Sequence, residues 1–243
     1  MRGGRGLFVT GTDTGVGKTV ITAGLLRILR RYGVSAGAMK PVETGCRRVS
    51  GRLTGSDSRL LSAASEPDGN GNRVGLYRFR DPVAPLLAAR AEGVRIDLGR
   101  IVRAYRNVSA RHSITFVEGI GGLMVPLTKK ETVLDLVRRL GLPLLIVTAN
   151  RLGAINHTLL TVRMAERHRI PVAGIILNRT EGRSGPAVRT NARLLSSVCA
   201  APVIGDVPYI RELAGEGNRS SGLRRLLKHL DKSIHHIGIE LDP

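Results

Sequence analysis

The run Gly11-Thr12-Asp13-Thr14-Gly15-Val16-Gly17-Lys18-Thr19, directly behind the apolar Leu7-Phe8-Val9, leaves this chain few folds to choose from. A strand, a glycine-rich loop and a helix in that order make a triphosphate cradle. Glycines let backbone N–H groups crowd round phosphate oxygens, Lys18 reaches the β and γ phosphates, and the Thr19 hydroxyl is placed to hold Mg²⁺. The helix follows at once, with aliphatics at helical spacing from Val20 to Leu29 and Gly33 as its stop. The usual spacing puts a glycine at position 12, where this chain has Thr12, so the loop is a variant. Gly15, Val16, Gly17, Lys18, Thr19 and Val20 are the expected phosphate contacts.

Beyond the loop, apolar segments of strand length alternate with segments of helical period, the signature of an α/β fold: a doubly wound, mostly parallel sheet with helices on both faces. Six strands are predicted, at Leu7–Thr10, Val34–Met39, Ser113–Val117, Leu144–Thr148, Val172–Leu177 and Val203–Asp206. Helices are predicted near 20–32, 57–65, 84–92, 97–110, 132–140, 154–169, 186–198 and 221–230. Glu66 to Asn72 reads as loop, and the basic end from Arg219 as one helix and a loose tail. A length of 243 residues with 42% hydrophobic content suits one domain.

Composition narrows the function classes. The net charge of +19 favours an anionic partner, yet basic residues are scattered in pairs such as Arg47-Arg48, Arg138-Arg139 and Arg224-Arg225, and only three Phe and four Tyr are available for base stacking. Neither nucleic acid nor membrane is expected as a partner. Nearly all of the 38 basic residues are arginine, so Lys18 and Lys40 stand out as choices of a compact ammonium. Cys46 and Cys199 lie far apart and outside metal-ligand spacing, which fits a reducing cytoplasm, and no apolar run has signal-peptide or membrane-spanning character. His235-His236 reads as an exposed polar pair.

Ligands of such sheets sit beyond the carboxyl ends of the strands. After the second predicted strand comes Lys40-Pro41-Val42-Glu43-Thr44-Gly45, and after the third comes Glu118-Gly119-Ile120-Gly121-Gly122. Between them Gly55-Ser56-Asp57 opens a helix. Lys40 ends an apolar strand and is expected to meet phosphate or another anion rather than enter the core bare. Asp57 and Glu118 are candidates to join Thr19 around Mg²⁺, which prefers hard oxygen ligands; Asp57 also reads as a helix cap.

Taken together, Gly-Thr-Asp-Thr-x-Val-Gly-Lys-Thr, Lys-Pro-Val-x-Thr-Gly, Ser-Asp, Val-Glu-Gly-x-Gly-Gly and Arg151-Leu152-Gly153-Ala154-Ile155-Asn156-His157 resemble dethiobiotin synthetase, from about Leu7 to Ile210. The longer phosphate loop is itself a mark of that family. The resemblance implies an ATP- and Mg²⁺-dependent cyclo-ligase of biotin synthesis that closes a cyclic urea on 7,8-diaminopelargonic acid with CO₂, giving dethiobiotin, ADP and phosphate. It implies that Lys18 holds the β and γ phosphates, Lys40 stabilises the carbamate and the transferring phosphoryl, and Thr44 bonds near the diamine or γ-phosphate. It further implies a magnesium shell of Thr19, Asp57 and Glu118, and nucleotide contacts from Gly119, Ile120 and Gly121. Asn178 would read adenine beside Arg179, with backbone from Pro208, Tyr209 and Ile210, and Asn156 would open a helix toward the substrate carboxylate. A homodimer is implied, with substrate near the subunit interface.

The chain departs from the family at Gly15, Leu86, Ile120 and Arg151; Ile120 and Leu86 bear on how tightly the diamine chain is packed, and neither removes a group the phosphoryl chemistry needs. The rival class is a partitioning ATPase that switches on DNA or membrane. Such proteins carry a second lysine early in the loop, where this chain has Asp13, and lack the Lys-Pro-Val-x-Thr-Gly segment. The cobyrinic acid amide synthetases share the sheet but add a glutaminase domain for which the chain ends too soon.

Overall fold

The strand ahead of the phosphate loop, β1 (Arg5–Gly11), carries Leu7 and Val9 to one face and Phe8 to the other, all buried. A strand apolar on both faces belongs in the middle of a parallel sheet. The computed structural model describes residues 5–65, 74–182, 185–214 and 220–236 and places β1 there. Its parallel neighbours are β6 (Ile114–Glu118) and β7 (Leu144–Ala149). Beyond β6 lie β2 (Ala36–Glu43) and β5 (Gly75–Arg78), and beyond β7 lie β8 (Val172–Asn178) and β9 (Val203–Val207). The order is β5-β2-β6-β1-β7-β8-β9, every pair parallel, so the doubly wound α/β sheet expected from the sequence is present.

Helices cover both faces. α1 (Lys18–Arg31), α2 (Ser56–Ala64) and α9 (Ser220–His236) pack on the face that holds Leu7, Val9, Phe116 and Leu145. α3 (Pro85–Ala91), α4 (Leu98–Ser109) and α5 (Val133–Leu140) cover the face of Phe8, Val117 and Ile146. α6 (Ala154–Arg167) and α7 (Pro186–Val198) follow β7 and β8, and a single turn, α8 (Arg211–Ala214), follows β9. Local chemistry sets the helix ends. Asp97 accepts from the N–H groups of Gly99 and Arg100 at the start of α4, Thr132 and Asp135 form a capping box on α5, and Gly141 ends α5 in the left-handed region at φ 66°.

Two expectations need correction. The second strand does not stop at Met39: Lys40-Pro41-Val42-Glu43 continues it, because β5 pairs alongside from Lys40 to Glu43. β5 itself and the hairpin of β3 (Arg47–Val49) and β4 (Arg52–Thr54) are absent from the six predicted strands. Each is three or four residues long, too short for a period-2 pattern to register. The hairpin turns on Ser50 and Gly51, both at positive φ (49° and 78°), which matches a two-residue turn. The Glu66–Asn72 loop and the terminal tail lie outside the described residues.

Candidate active site

Three loops meet at the carboxyl end of β1. The phosphate loop is knitted to the β6 loop by the Gly11 N–H donating to Gly121 O and to β7 by the Thr12 N–H donating to Val147 O. Gly17, at φ 91°, is where the loop turns into α1, and a Cβ there would stand 2.2 Å from Asn178 Nδ2. Only glycine fits. The side chain of Thr12, in the place of the usual glycine, donates to Thr148 Oγ1 at 3.0 Å, and Thr148 in turn meets Thr158 of α6 at 3.2 Å. That hydroxyl chain accounts for the loop's departure from the common pattern.

The charged groups then assemble in a pocket of about 470 Å³ whose lining includes Gly15, Gly17, Lys18, Thr19, Val20, Lys40, Thr44, Asp57, Ile120 and Gly121. Lys40 Nζ contacts Glu118 Oε1 at 2.6 Å, Asp57 Oδ2 at 2.8 Å and Gly119 O at 3.1 Å, so its three N–H bonds have three acceptors. Burial alone would push this ammonium down, but Glu118 and Asp57 outweigh it and hold the pKa above the ordinary lysine value. For Asp57, burial works to raise the pKa, and the Lys40 ammonium overcomes it and holds the carboxyl below its ordinary value. Lys18, 7% exposed, donates to Asp13 O at 3.1 Å, and burial followed by repulsion from Lys40 depresses it to about 8.

The Thr19 hydroxyl donates to Glu118 Oε1 at 2.7 Å, so Thr19, Asp57 and Glu118 do converge. Glu118 is fully buried, and its Oε2 has no hydrogen-bond partner among the described residues. An orphaned carboxylate oxygen beside a hydroxyl and a second carboxylate is a hard-oxygen donor set that fits Mg²⁺. Among the described residues no group of three or more His, Cys, Asp or Glu is placed to hold a metal by itself. Two carboxylates and a hydroxyl suit an ion that takes its remaining ligands from phosphate and water. His235 and His236 lie exposed in the last turn of α9, as expected.

A second pocket of about 210 Å³ shares Gly15, Gly17 and Val20 with the first and continues to Asn178, Arg179 and Pro208-Tyr209-Ile210. Asn178 ends β8 and donates from Nδ2 to Val16 O at 2.9 Å, which ties the far wall to the phosphate loop. The structure thus brings the expected nucleotide residues round one continuous hollow, except that Val16, Glu118 and Gly119 are buried and line neither pocket. Of the expected substrate residues, Asn156 is the exception: it is exposed in the first turn of α6 and lines neither pocket. Leu86 lines a separate hollow with Leu127, which no residue of the phosphate loop borders.

Sequence reasoning missed the group that positions Asp57. Glu43, 3% exposed, accepts from the backbone N–H of Asp57 at 2.8 Å and of Ser58 at 3.2 Å, capping α2 from the end of β2. Asp57 is therefore not the cap; Gly55 occupies that position, and its own side chain is free to face Lys40. A Cβ on Gly55 would meet the Glu43 carboxylate at 1.9 Å. The available signal was a helix start without a side-chain cap, preceded by an acidic residue in an apolar strand.

Comparison with known proteins completes the picture. Residues 5–217 match an AAA domain family. The chain is 45% identical over 210 residues to the ATP-dependent dethiobiotin synthetase of Anaeromyxobacter dehalogenans strain 2CP-C, covering 86% of this chain and 92% of that protein. It is 40% identical over 216 residues to the synthetase of Thermodesulfovibrio yellowstonii, covering 86% and 90%. Among solved structures, the MinD cell division protein of Aquifex aeolicus superposes with a TM-score of 0.55 at 15% identity, covering 98% of this chain and 99% of that one. MinD of Pyrococcus horikoshii with Mg-ADP gives 0.53 at 15% identity, covering 96% and 92%. At those identities the MinD likeness concerns the fold, whereas the synthetases are 40–45% identical over most of their length, and the chain belongs to the ATP-dependent dethiobiotin synthetase family.

Proposed function

We propose that this protein uses ATP to carboxylate 7,8-diaminopelargonic acid with CO₂ and close the cyclic urea of dethiobiotin. The observation that carries the reading is Lys40, buried between Glu118 and Asp57 and sharing one pocket with Lys18. A partitioning switch draws its lysines from the phosphate loop itself; Lys40, in β2, is a fixed cation for a second anionic reactant, and the carbamate made from one amine and CO₂ is such an anion. Lys18 takes the β and γ phosphates, and an incoming anion repays the burial that depresses its pKa. Lys40, kept protonated by its two carboxylates, faces the oxygens on which charge builds as the γ-phosphoryl passes to the carbamate and the second amine closes the ring. Thr44, half-buried at the pocket wall, offers a hydroxyl to the same region.

Thr19, Asp57 and Glu118 would hold Mg²⁺, which when bound neutralises phosphate charge. Asn178, Arg179 and the Pro208–Ile210 backbone take the adenine in the smaller pocket. Asn156 reads as a contribution to a partner's site in a homodimer: it shares a helix face, four residues apart, with Leu160, 61% exposed, and Leu152 just before the helix is 88% exposed. We take the chain as one synthetase domain acting in the cytoplasm; α9 packs on α1 and β9, no described helix is long and apolar enough to cross a membrane, and Cys46 and Cys199 are free thiols.

The test is incorporation of labelled bicarbonate into an acid-stable product by purified protein with Mg-ATP. Label fixed only when the diamine is present supports the synthetase. ATP hydrolysis without diamine, no fixed label and a response to DNA or lipid would establish the switch reading instead.

A further inference from the structure

Arginines distant in sequence come together at one place in the fold. At the far end of α1 from the phosphate loop, Arg27, Arg30 and Arg31 meet Arg224 of α9 around a hollow of about 550 Å³, with Leu223 and Leu227 among its walls. Among the described residues no carboxylate lines it. Arg27 is half-buried, and its Nε is shielded from solvent with no hydrogen-bond partner among the described residues. Burial first, and then the charges of Arg30 and Arg31, work against its protonated form. Among the described residues Arg30 donates to Ser65 O, at 3.5 Å. The negative end of the α1 dipole explains Arg30 and Arg31 in the last turn, but it explains neither Arg27, a turn earlier, nor Arg224, which comes from another helix.

We propose that this hollow is a binding site for a compact phosphate-bearing anion, distinct from the nucleotide pocket. Guanidinium groups converging from two helices match phosphate oxygens in charge and in donor geometry. An anion there relieves the repulsion that Arg30 and Arg31 exert on the half-buried Arg27. It also bridges α1 and α9, so the helix that begins at the phosphate loop is held at its other end by a second phosphate.

The test is calorimetric titration of pyrophosphate into the full-length protein with the phosphate loop saturated by Mg-ADP. One further equivalent of pyrophosphate is expected to bind. In Arg27→Gln/Arg224→Gln the dissociation constant should rise about tenfold or more, as loss of charge-assisted bonds predicts, with Mg-ADP binding unchanged. Arg31→Glu, at an exposed position, gives the same weakening without disturbing a half-buried side chain. Arg189→Gln/Arg193→Gln removes two exposed charges from α7 as a control and should leave the constant alone. Absence of binding beyond the nucleotide site overturns the proposal, as does an equal loss in the α7 control, which would reduce the effect to net charge. If pyrophosphate fails and a single-stranded oligonucleotide binds through these same arginines, the hollow is a nucleic-acid contact and the small-anion site is refuted.

Discussion

The two lysines of the active site are buried to similar degrees, yet their surroundings pull them in opposite directions. Lys40 sits between Glu118 and Asp57 and is held protonated; Lys18 has a single backbone acceptor, Lys40 as a repelling neighbour and a pKa near 8. One end of the pocket is therefore electrostatically complete before any ligand arrives, and the other is left in deficit until a phosphate enters. The difference separates two jobs. A group that must bind and release nucleotide each turnover gains from being unsatisfied when free, whereas a group that stabilises a transient anion gains from being fixed in advance.

The comparison breaks most sharply at Lys40. Lys40→Ala is expected to lower turnover by about a thousandfold or more in the label assay. It also leaves two carboxylates facing each other without their cation, which should cost about 3–5 kcal/mol in urea unfolding. Normal turnover in this variant would remove Lys40 from the mechanism. Glu118→Gln comes next, with a loss of about a hundredfold and a higher magnesium requirement, read by titrating Mg²⁺ at fixed ATP.

Lys18→Met should do the reverse to stability. Nucleotide affinity falls about tenfold or more, measured by ADP titration, while the folded protein becomes more stable at pH 7. The sign follows from the depressed pKa: the folded state sheds this proton near pH 8 and the unfolded chain only near 10.5, so the cost of the buried ammonium is in full force below 8. In nucleotide- and metal-free buffer the variant should exceed the parent by up to about 3 kcal/mol at pH 7, and the gap should close as pH rises from 8 to 10.5. A variant less stable than its parent at neutral pH would show that Lys18 is not strained.

The smallest effects belong to the support beneath Asp57. Gly55→Ala forces a methyl group into the Glu43 carboxylate and should cost about 2 kcal/mol, against about 1 kcal/mol for Glu43→Gln, which weakens the cap without a clash. Melting of the two variants side by side checks the order.

How much of this was legible in the sequence depends on what kind of signal each part leaves. The central strands and the long helices announce themselves by periodicity, and the phosphate loop by residue types that only one chemistry requires in that order. Lys40 and Glu118 were found because each reads as a charge closing an apolar strand, and Asp57 because it opens a helix between them, although β2 in fact runs on through Lys40. Their mutual contacts were not legible, since Lys40 Nζ meets Glu118 across 78 positions of sequence. Glu43 escaped because it was read as part of a loop, when pairing with β5 extends β2 through it. Asn156 was legible as a helix start, but its exposure shows that a helix can follow the right motif and still aim away from its own chain's pocket.

The bond between Asn178 and Val16 closes the pocket across 162 positions of sequence. During synthesis at roughly 5–20 residues per second, the phosphate loop leaves the ribosome on the order of ten seconds before the asparagine that locks its backbone. Cellular ATP therefore meets a half-built pocket throughout translation and can act as a folding ligand only at the end, when β8 and β9 add themselves to the sheet.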